Sequence, residues 1–442
     1  MTAQRRSDGL EKMAFLLLLA VIAGAWALTN DASSPESTGL VEQIKQRAMQ
    51  DLATVPNYVC VDSIERSLWI PGERQFRRLD RVHVEVAHVE GADRFSWLRN
   101  SMFKSRNPTV MVGYGASFGG DFADNRALVF RSEWTKIWFA GHVTMNGRPA
   151  LRYDYDAPRG ALRVSVGGQS GYTPARGSFW VDPETLDLLQ LDIEGYAIPS
   201  KLAVRSISDR TIYWRVLIGK QIALLAHDSQ FQLTDADGTL KRNASVFSNC
   251  REYTVDSTLT FGSSPTPQLP PPIEESHVQP GLQLQLVLDK TLDANEAAVG
   301  DPIRAHVLQG DGDIPRGARV YGRVNRIINF NDQIPLPRPE QPLPTPKQTM
   351  WGQHTGEVLI QIEFQRIEYR RSRTPFVARL IDLESAPGRQ DAKIRSFGYL
   401  DSDLVVRYDP PGTASVYVSQ ENPVLGRGVI MHWITVPERD FQ

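Results

Sequence analysis

Along most of this chain apolar and polar residues alternate one for one, the spacing of half-buried β-strands, and only near the N-terminus does the spacing lengthen to that of a helix. Leu40, Val41, Ile44, Ala48 and Leu52 fall on one helical stripe behind Ser37 and Thr38, which predicts a helix that ends before Pro56. After Tyr58 the period is two. Val82, Val84 and Val86 alternate with His83, Glu85 and Ala87, and Leu282, Leu284, Leu286 and Leu288 alternate with Gln283 and Gln285. Further strands are expected over 303–308, 318–327, 357–369 and 376–383. Between Phe364 and Ile367 the apolar phase slips by one residue, the mark of a bulge that bends a long strand.

Turn residues punctuate the strands. Asn146-Gly147 and Asp237-Gly238 favour tight hairpins, Asp182-Pro183-Glu184-Thr185 presets a type I turn, and Gly310 to Asp313 reads as a hairpin tip. The first half is therefore one helix laid on a large antiparallel sheet. The second half lacks a helical run of three turns beyond 289–299 and is expected to be nearly all β, a small barrel or sandwich.

Before these elements, residues 13 to 27 form a single apolar run behind Arg5, Arg6 and Lys12 that closes on Ala25-Trp26-Ala27, the pattern of a cleaved export signal. The run of about 15 residues falls short of the ~20 that span a bilayer, and no second run follows, so no transmembrane helix is expected after cleavage. The expected location is periplasmic or extracellular. A chain of 442 residues exceeds what one core usually holds, and the composition breaks most sharply where Ser263 to Pro267 and Pro270 to Pro272 cannot pack. The expected organisation is a signal over 1–27, a first domain over 36–262, a linker over 263–281 and a second domain over 282–442 with a proline-rich loop at 331–352.

Net charge is −2, from 49 basic and 51 acidic residues, which excludes the field that gathers nucleic acid. The two cysteines, Cys60 and Cys250, suggest a disulfide in an oxidising compartment, with two buried thiols as the alternative.

Catalytic patterns fail on context. Gly115-Ala116-Ser117-Phe118-Gly119 matches a nucleophile elbow, yet no strand-helix alternation surrounds it, so a Ser117 hydrolase is the last of three readings. The eight histidines show no helical metal spacing, and Asp235 with Asp237 are better explained by a turn than by calcium. His83 and Glu85 share one strand face, where a solvated surface is the plainer reading. Arg66, Arg74, Arg77, Arg78 and Arg81 likewise read as a solvated edge. No metal and no cofactor is expected. Tryptophans concentrate in the first half, and Trp97, Trp134, Trp138, Trp180 and Trp214 are the candidates to wall an apolar pocket.

The stretch from Gly147-Arg148-Pro149 through Gly177 to Thr185 and on to Asn249-Cys250-Arg251-Glu252-Tyr253 resembles exported bacterial proteins with the outer-membrane lipoprotein-carrier half-barrel. That resemblance implies a curved antiparallel sheet closed on one side by helices and a role in shielding lipid tails. Ala298 to Asp301, Ile314 to Ala318 and Gly322 to Val324 are faintly similar to the β-rich outer domain of type IV secretion channel components, which implies assembly at the outer membrane. Together these give a leading expectation: a non-enzymatic exported protein that binds a lipid or other apolar small molecule. An envelope scaffold acting on another envelope protein is the second.

Overall fold

The computed structural model describes residues 35–89, 91–99, 103, 111, 124–166, 169–253, 278–330, 356–384, 395–396, 399–400, 406–407 and 409–437. The expected signal, the segment around Ser117, most of the expected linker and the proline-rich loop lie outside them. No helix among the described residues is long and apolar enough to cross a membrane.

Helix α1 (Pro35–Thr54) forms on the predicted stripe and turns Ile44 and Ala48 inward. It stops short of Pro56, whose ring removes a backbone donor and disfavours helical geometry at Val55. The chain then builds β1 (Tyr58–Trp69), β2 (Arg77–Val89) and β3 (Ala92–Trp97), followed by a short helix α2 (Asp124–Phe130). Seven strands follow: β4 (Lys136–Met145), β5 (Arg148–Val166), β6 (Gln169–Val181), β7 (Leu188–Gly195), β8 (Val204–Ile218), β9 (Gln221–Asp235) and β10 (Leu240–Glu252).

These strands make one ten-stranded antiparallel sheet in the order β3-β2-β1-β10-β9-β8-β7-β6-β5-β4. The first and last strands are thus neighbours, and Cys60 on β1 is disulfide-bonded to Cys250 on β10 across 190 residues of sequence. In the chain-entropy account, closing so long a loop stabilises the fold by about 4 to 5 kcal/mol. The predicted hairpins are present. Asn146 and Gly147 adopt φ of 50° and 79°, the doubly left-handed turn that matches strand twist. Asp182 accepts the backbone N–H groups of Glu184 and Thr185, each at 2.9 Å.

One face of this half-barrel is covered by helices. Ile44 and Ala48 from α1, with Leu128, Val129 and Phe130 from α2, join Tyr58, Tyr153, Tyr155 and Phe179 in a single core. Phe130 meets Phe179 edge-on at 5.1 Å, and Tyr153 stacks on Phe179 at 5.3 Å.

The second half contributes β11 (Gln283–Leu288), β12 (Leu292–Asp293), β13 (Pro302–Gln309), β14 (Arg319–Asn329), β15 (Glu357–Tyr369), β16 (Ser372–Pro375) and β17 (Ala378–Glu384). After them come β18 (Arg395–Ser396), β19 (Tyr399–Leu400), β20 (Val406–Arg407), β21 (Thr413–Ser419), β22 (Val424–Leu425) and β23 (Ile430–Thr435). Nine of these form a second antiparallel sheet, β17-β23-β11-β13-β14-β15-β21-β18, with β16 paired on β15. Its core centres on Trp433, with Phe364 at 5.7 Å and Phe376 at 5.3 Å. The bulge anticipated in the long strand β15 lies at Gln365, because Tyr321 faces Arg366 while Gly322 faces Phe364. Gly322 permits this, since a Cβ there would lie 2.1 Å from the Glu363 carbonyl oxygen.

Backbone bonds join the two sheets. Val299, from the second half, bridges Val82 of β2 in parallel: His83 N donates to Val299 O and Val299 N to Arg81 O, both at 2.8 Å. The Val299 side chain is buried in the core of the first sheet.

Candidate functional site

The concave side of the half-barrel is the surface that the sequence reading favours for a ligand. Period-two alternation sends Tyr58, Cys60 and Ile64 of β1, Val82, Val84 and Val86 of β2, and Tyr153, Tyr155 and Phe179 of β5 and β6 into one continuous apolar face. Side chains of α1 and α2 fill that face, so anything entering it must displace a helix.

Ion pairs fasten α1 at its C-terminal end. Arg215 on β8 donates from Nε to Asp187 at 2.7 Å and reaches Asp51 of α1 at 3.2 Å, while Arg47 of α1 lies 3.2 Å from the same Asp187. Burial raises the Asp187 carboxyl, but the hydrogen bond and charge of Arg215, joined by those of Arg47, outweigh it and hold the pKa below its ordinary value. The arginines are partly exposed, so solvent screens the cluster and it acts as a weak clasp.

Helix α2 is held by buried polar groups. Arg126 is almost fully buried, donates to the Leu224 carbonyl at 3.2 Å and sits 5.4 Å from the Tyr213 ring centre. Its neighbour Asn125 donates to Asp209 at 2.9 Å, and Thr211 and Ser229 donate to the same carboxylate at 2.9 and 3.0 Å. Burial nevertheless dominates and pushes Asp209 up to about 6.

Asp62 is more isolated. It shares the inward face of β1 with Tyr58, Cys60 and Ile64, its Oδ1 has no hydrogen-bond partner, and the adjacent Ser245 Oγ has none either. Burial lifts its carboxyl to about 7, and the lowering influence of Ser245 offsets only part of that. A carboxyl that titrates near neutrality inside an apolar face is the kind of group that marks functional interiors. The sequence held the signal, since Asp62 stands in phase with Tyr58, Cys60 and Ile64.

The five candidate tryptophans are not gathered into one wall. Trp134, Trp138 and Trp214 are 54, 41 and 55% exposed. Arg159 covers the Trp134 ring at 3.3 Å, and Trp214 stacks on His227 at 3.8 Å. Trp138 stands with Lys136 on the exposed phase of β4, and past the bulge at Ala140 His142 passes to the face of Phe139, 5.3 Å from its ring. Trp180 is half-buried, with the Arg152 guanidinium 5.7 Å from its ring centre. Trp97 alone of the five lines a large cleft, about 1160 Å³ between the two sheets, where Arg323 lies 4.9 Å from its ring centre.

Other expectations resolve into structural partnerships. Arg66 is not part of a solvated edge: its guanidinium grips Asp80 through two bonds of 2.6 and 2.5 Å with both side chains buried. His83 lies 2.7 Å from Asp301 of the second half, and Glu85 pairs with Arg251 at 2.8 Å, so the two do not share one partner. Asp237 caps its own turn by accepting Thr239 N at 2.8 Å.

No protein-family model and no curated protein matches the sequence. Several solved structures overlap with about half of the chain. A DUF1329 family protein from Desulfovibrio piger is 13% identical over 51% of this chain and 95% of its own, with a TM-score of 0.27. A LolA superfamily protein from Nitrosomonas europaea is 6% identical over 50% of this chain and 97% of its own, at 0.25. A candidate outer membrane lipoprotein-sorting protein domain from Vibrio parahaemolyticus is 11% identical over 50% and 93%, also at 0.25. Scores this low fix neither ligand nor activity.

Proposed function

We propose that the protein is a non-enzymatic binding protein of the cell envelope that holds a lipid or another apolar molecule against the concave face of its ten-stranded sheet. The observation that carries this reading is the roof over that face. A broad apolar surface is covered by two helical segments, and the larger is clasped at one end by the Arg47, Asp51, Asp187 and Arg215 cluster. The energies are suited to exchange. Leu40, Val41, Ile44, Ala48 and Met49 are the α1 side chains packed on the core, and full burial of a large apolar side chain is worth roughly 1.5 to 3 kcal/mol. An acyl chain of about a dozen methylenes gains ~0.8 kcal/mol for each one buried, a total of the same order. A ligand can therefore take the place of the helix without leaving the sheet wet. The disulfide and the expected export signal favour an oxidising, extracytoplasmic setting.

The test is uptake of a fluorescent fatty-acyl probe by protein stripped of bound lipid. Saturable binding is expected, with faster uptake by Arg215→Ala, whose α1 is unclasped. Absence of binding to any amphiphile, or an uptake rate that ignores the clasp, would remove the proposal.

A further inference from the structure

The second sheet carries a concentration of charge that a lipid site in the half-barrel leaves unused. β15 and β16 form a hairpin in which Tyr369 pairs with Ser372, so its two turn residues are Arg370 and Arg371. Together with the 314–318 turn that leads into β14, this hairpin borders an open pocket of about 780 Å³ whose arginines are exposed. Arg316, Arg319, Arg370, Arg371 and Arg373 line it against a single carboxylate, Glu368, in a chain whose net charge is −2.

That carboxylate is already committed. Arg373 donates to Glu368 at 2.9 Å and Arg366 at 3.2 Å. Burial raises its pKa, but the hydrogen bond and charge of Arg373, with the charge of Arg366, reverse this and leave it below the usual range. Arg316, Arg319, Arg370 and Arg371 pair with no carboxylate among the described residues. The turn itself is costly. Arg370 sits at φ 52°, a left-handed conformation in which two-residue hairpins ordinarily place Asn or Gly. Mutual repulsion and a strained backbone are therefore accepted at one spot, with Glu368, already shared by Arg366 and Arg373, as the single carboxylate among the described lining residues.

From this we infer that the pocket between the β15–β16 hairpin and the 314–318 turn is a binding site for a phosphate group. Guanidinium is the side chain whose planar fork matches a phosphate in pairs of parallel hydrogen bonds, and several converging on a concave site bind more than one phosphate oxygen. The phosphate can belong to a small soluble compound or to the headgroup of an anionic lipid, and the chemistry is the same for both. The inference is independent of the concave face of the half-barrel.

The experiment has two arms on the same proteins. Pyrophosphate is titrated calorimetrically, and co-sedimentation is measured with phosphatidylcholine vesicles with and without phosphatidylglycerol. Binding in at least one arm is expected, weakening as salt is raised, and falling by about tenfold or more in Arg370→Glu/Arg371→Glu. Binding to pyrophosphate alone assigns a soluble phosphate compound, whereas binding to the anionic vesicles assigns a lipid headgroup. Arg370→Gly supplies a control that folds more readily: relief of the left-handed strain should raise its melting temperature while its affinity falls. Binding in neither arm, or affinities unchanged in both variants, would overturn the site.

Discussion

The fully buried side chains of the first sheet and its helices include Asp62, Arg66, Asp80, Arg126 and Asp209, whereas every fully buried polar side chain of the second sheet among the described residues is neutral: Gln361, Thr374, Thr413, Ser415 and Thr435. Both units bury a comparable apolar cluster, so charge is not needed to make such a sheet fold. Water-excluded charges weaken a core unless they are paired and hydrogen-bonded, and even then an apolar replacement often does as well. Their retention at fully buried positions in one unit distinguishes the two cores. The second half admits charge only at part-buried positions such as Arg323 and Asp409, and the first keeps fully buried titratable groups on the face that its helices cover.

The largest effect that could break this contrast belongs to Arg66. Arg66→Ala strands the Asp80 carboxylate in the core and should cost about 3 to 5 kcal/mol in urea denaturation, whereas Arg66→Met with Asp80→Leu should recover most of it. If the double variant is no better than the single one, the pair is structural in its own right.

Asp62 comes next. Its folded pKa of about 7 stands above the ordinary aspartate value, so the folded state holds the proton more tightly than the unfolded chain does. The stability present below pH ~4 is therefore lost as pH rises towards 7, a swing of about 4 kcal/mol for three pKa units. Asp62→Asn should flatten that decline and gain roughly 2 to 3 kcal/mol at pH 8, its own unpaired amide removing the remainder. Melting curves at pH 5 and pH 8 decide it, and an unchanged pH slope would show that Asp62 is not the group responsible.

Gln361 gives the smallest effect and sharpens the contrast from the other side. Its amide accepts from Asn325 at 2.7 Å and donates to Ser415 at 2.9 Å and Asp409 at 3.1 Å, all without a net charge of its own. Gln361→Leu should cost only about 1 to 2 kcal/mol and, by withdrawing a hydrogen bond that holds the raised Asp409 carboxyl down, should move that carboxyl further up. A loss as large as that of Arg66→Ala would erase the distinction between the two cores.

The elements were largely legible in the sequence because they rest on local rules. The helix over Pro35–Thr54, the Asn146-Gly147 hairpin and the bulge at Gln365 follow from spacing and turn chemistry alone. Side-chain partnerships were not, because they depend on register. Arg66 faces Asp80 only because β1 and β2 pair in one alignment, and nothing local links two residues 14 apart. The placing of the tryptophans was illegible for another reason. Ring size reports apolar area but not the face on which it stands, and Trp138 is in phase with Lys136. The arginine pocket joins two turns far apart in sequence, so its charge is invisible until the strands are laid side by side.

The placement of β1 beside β10 also constrains the order of assembly. A chain that leaves its channel N-terminus first delivers β1, β2 and β3 early, yet one edge of β1 has no neighbour until residues 240–252 arrive. Through that interval the edge is a template for pairing with any other extended chain, and Cys60 is a thiol whose partner lies 190 residues away. A sheet closed by pairing this distant in sequence folds slowly. β1 therefore cannot complete its pairing until the chain has been delivered as far as residue 252.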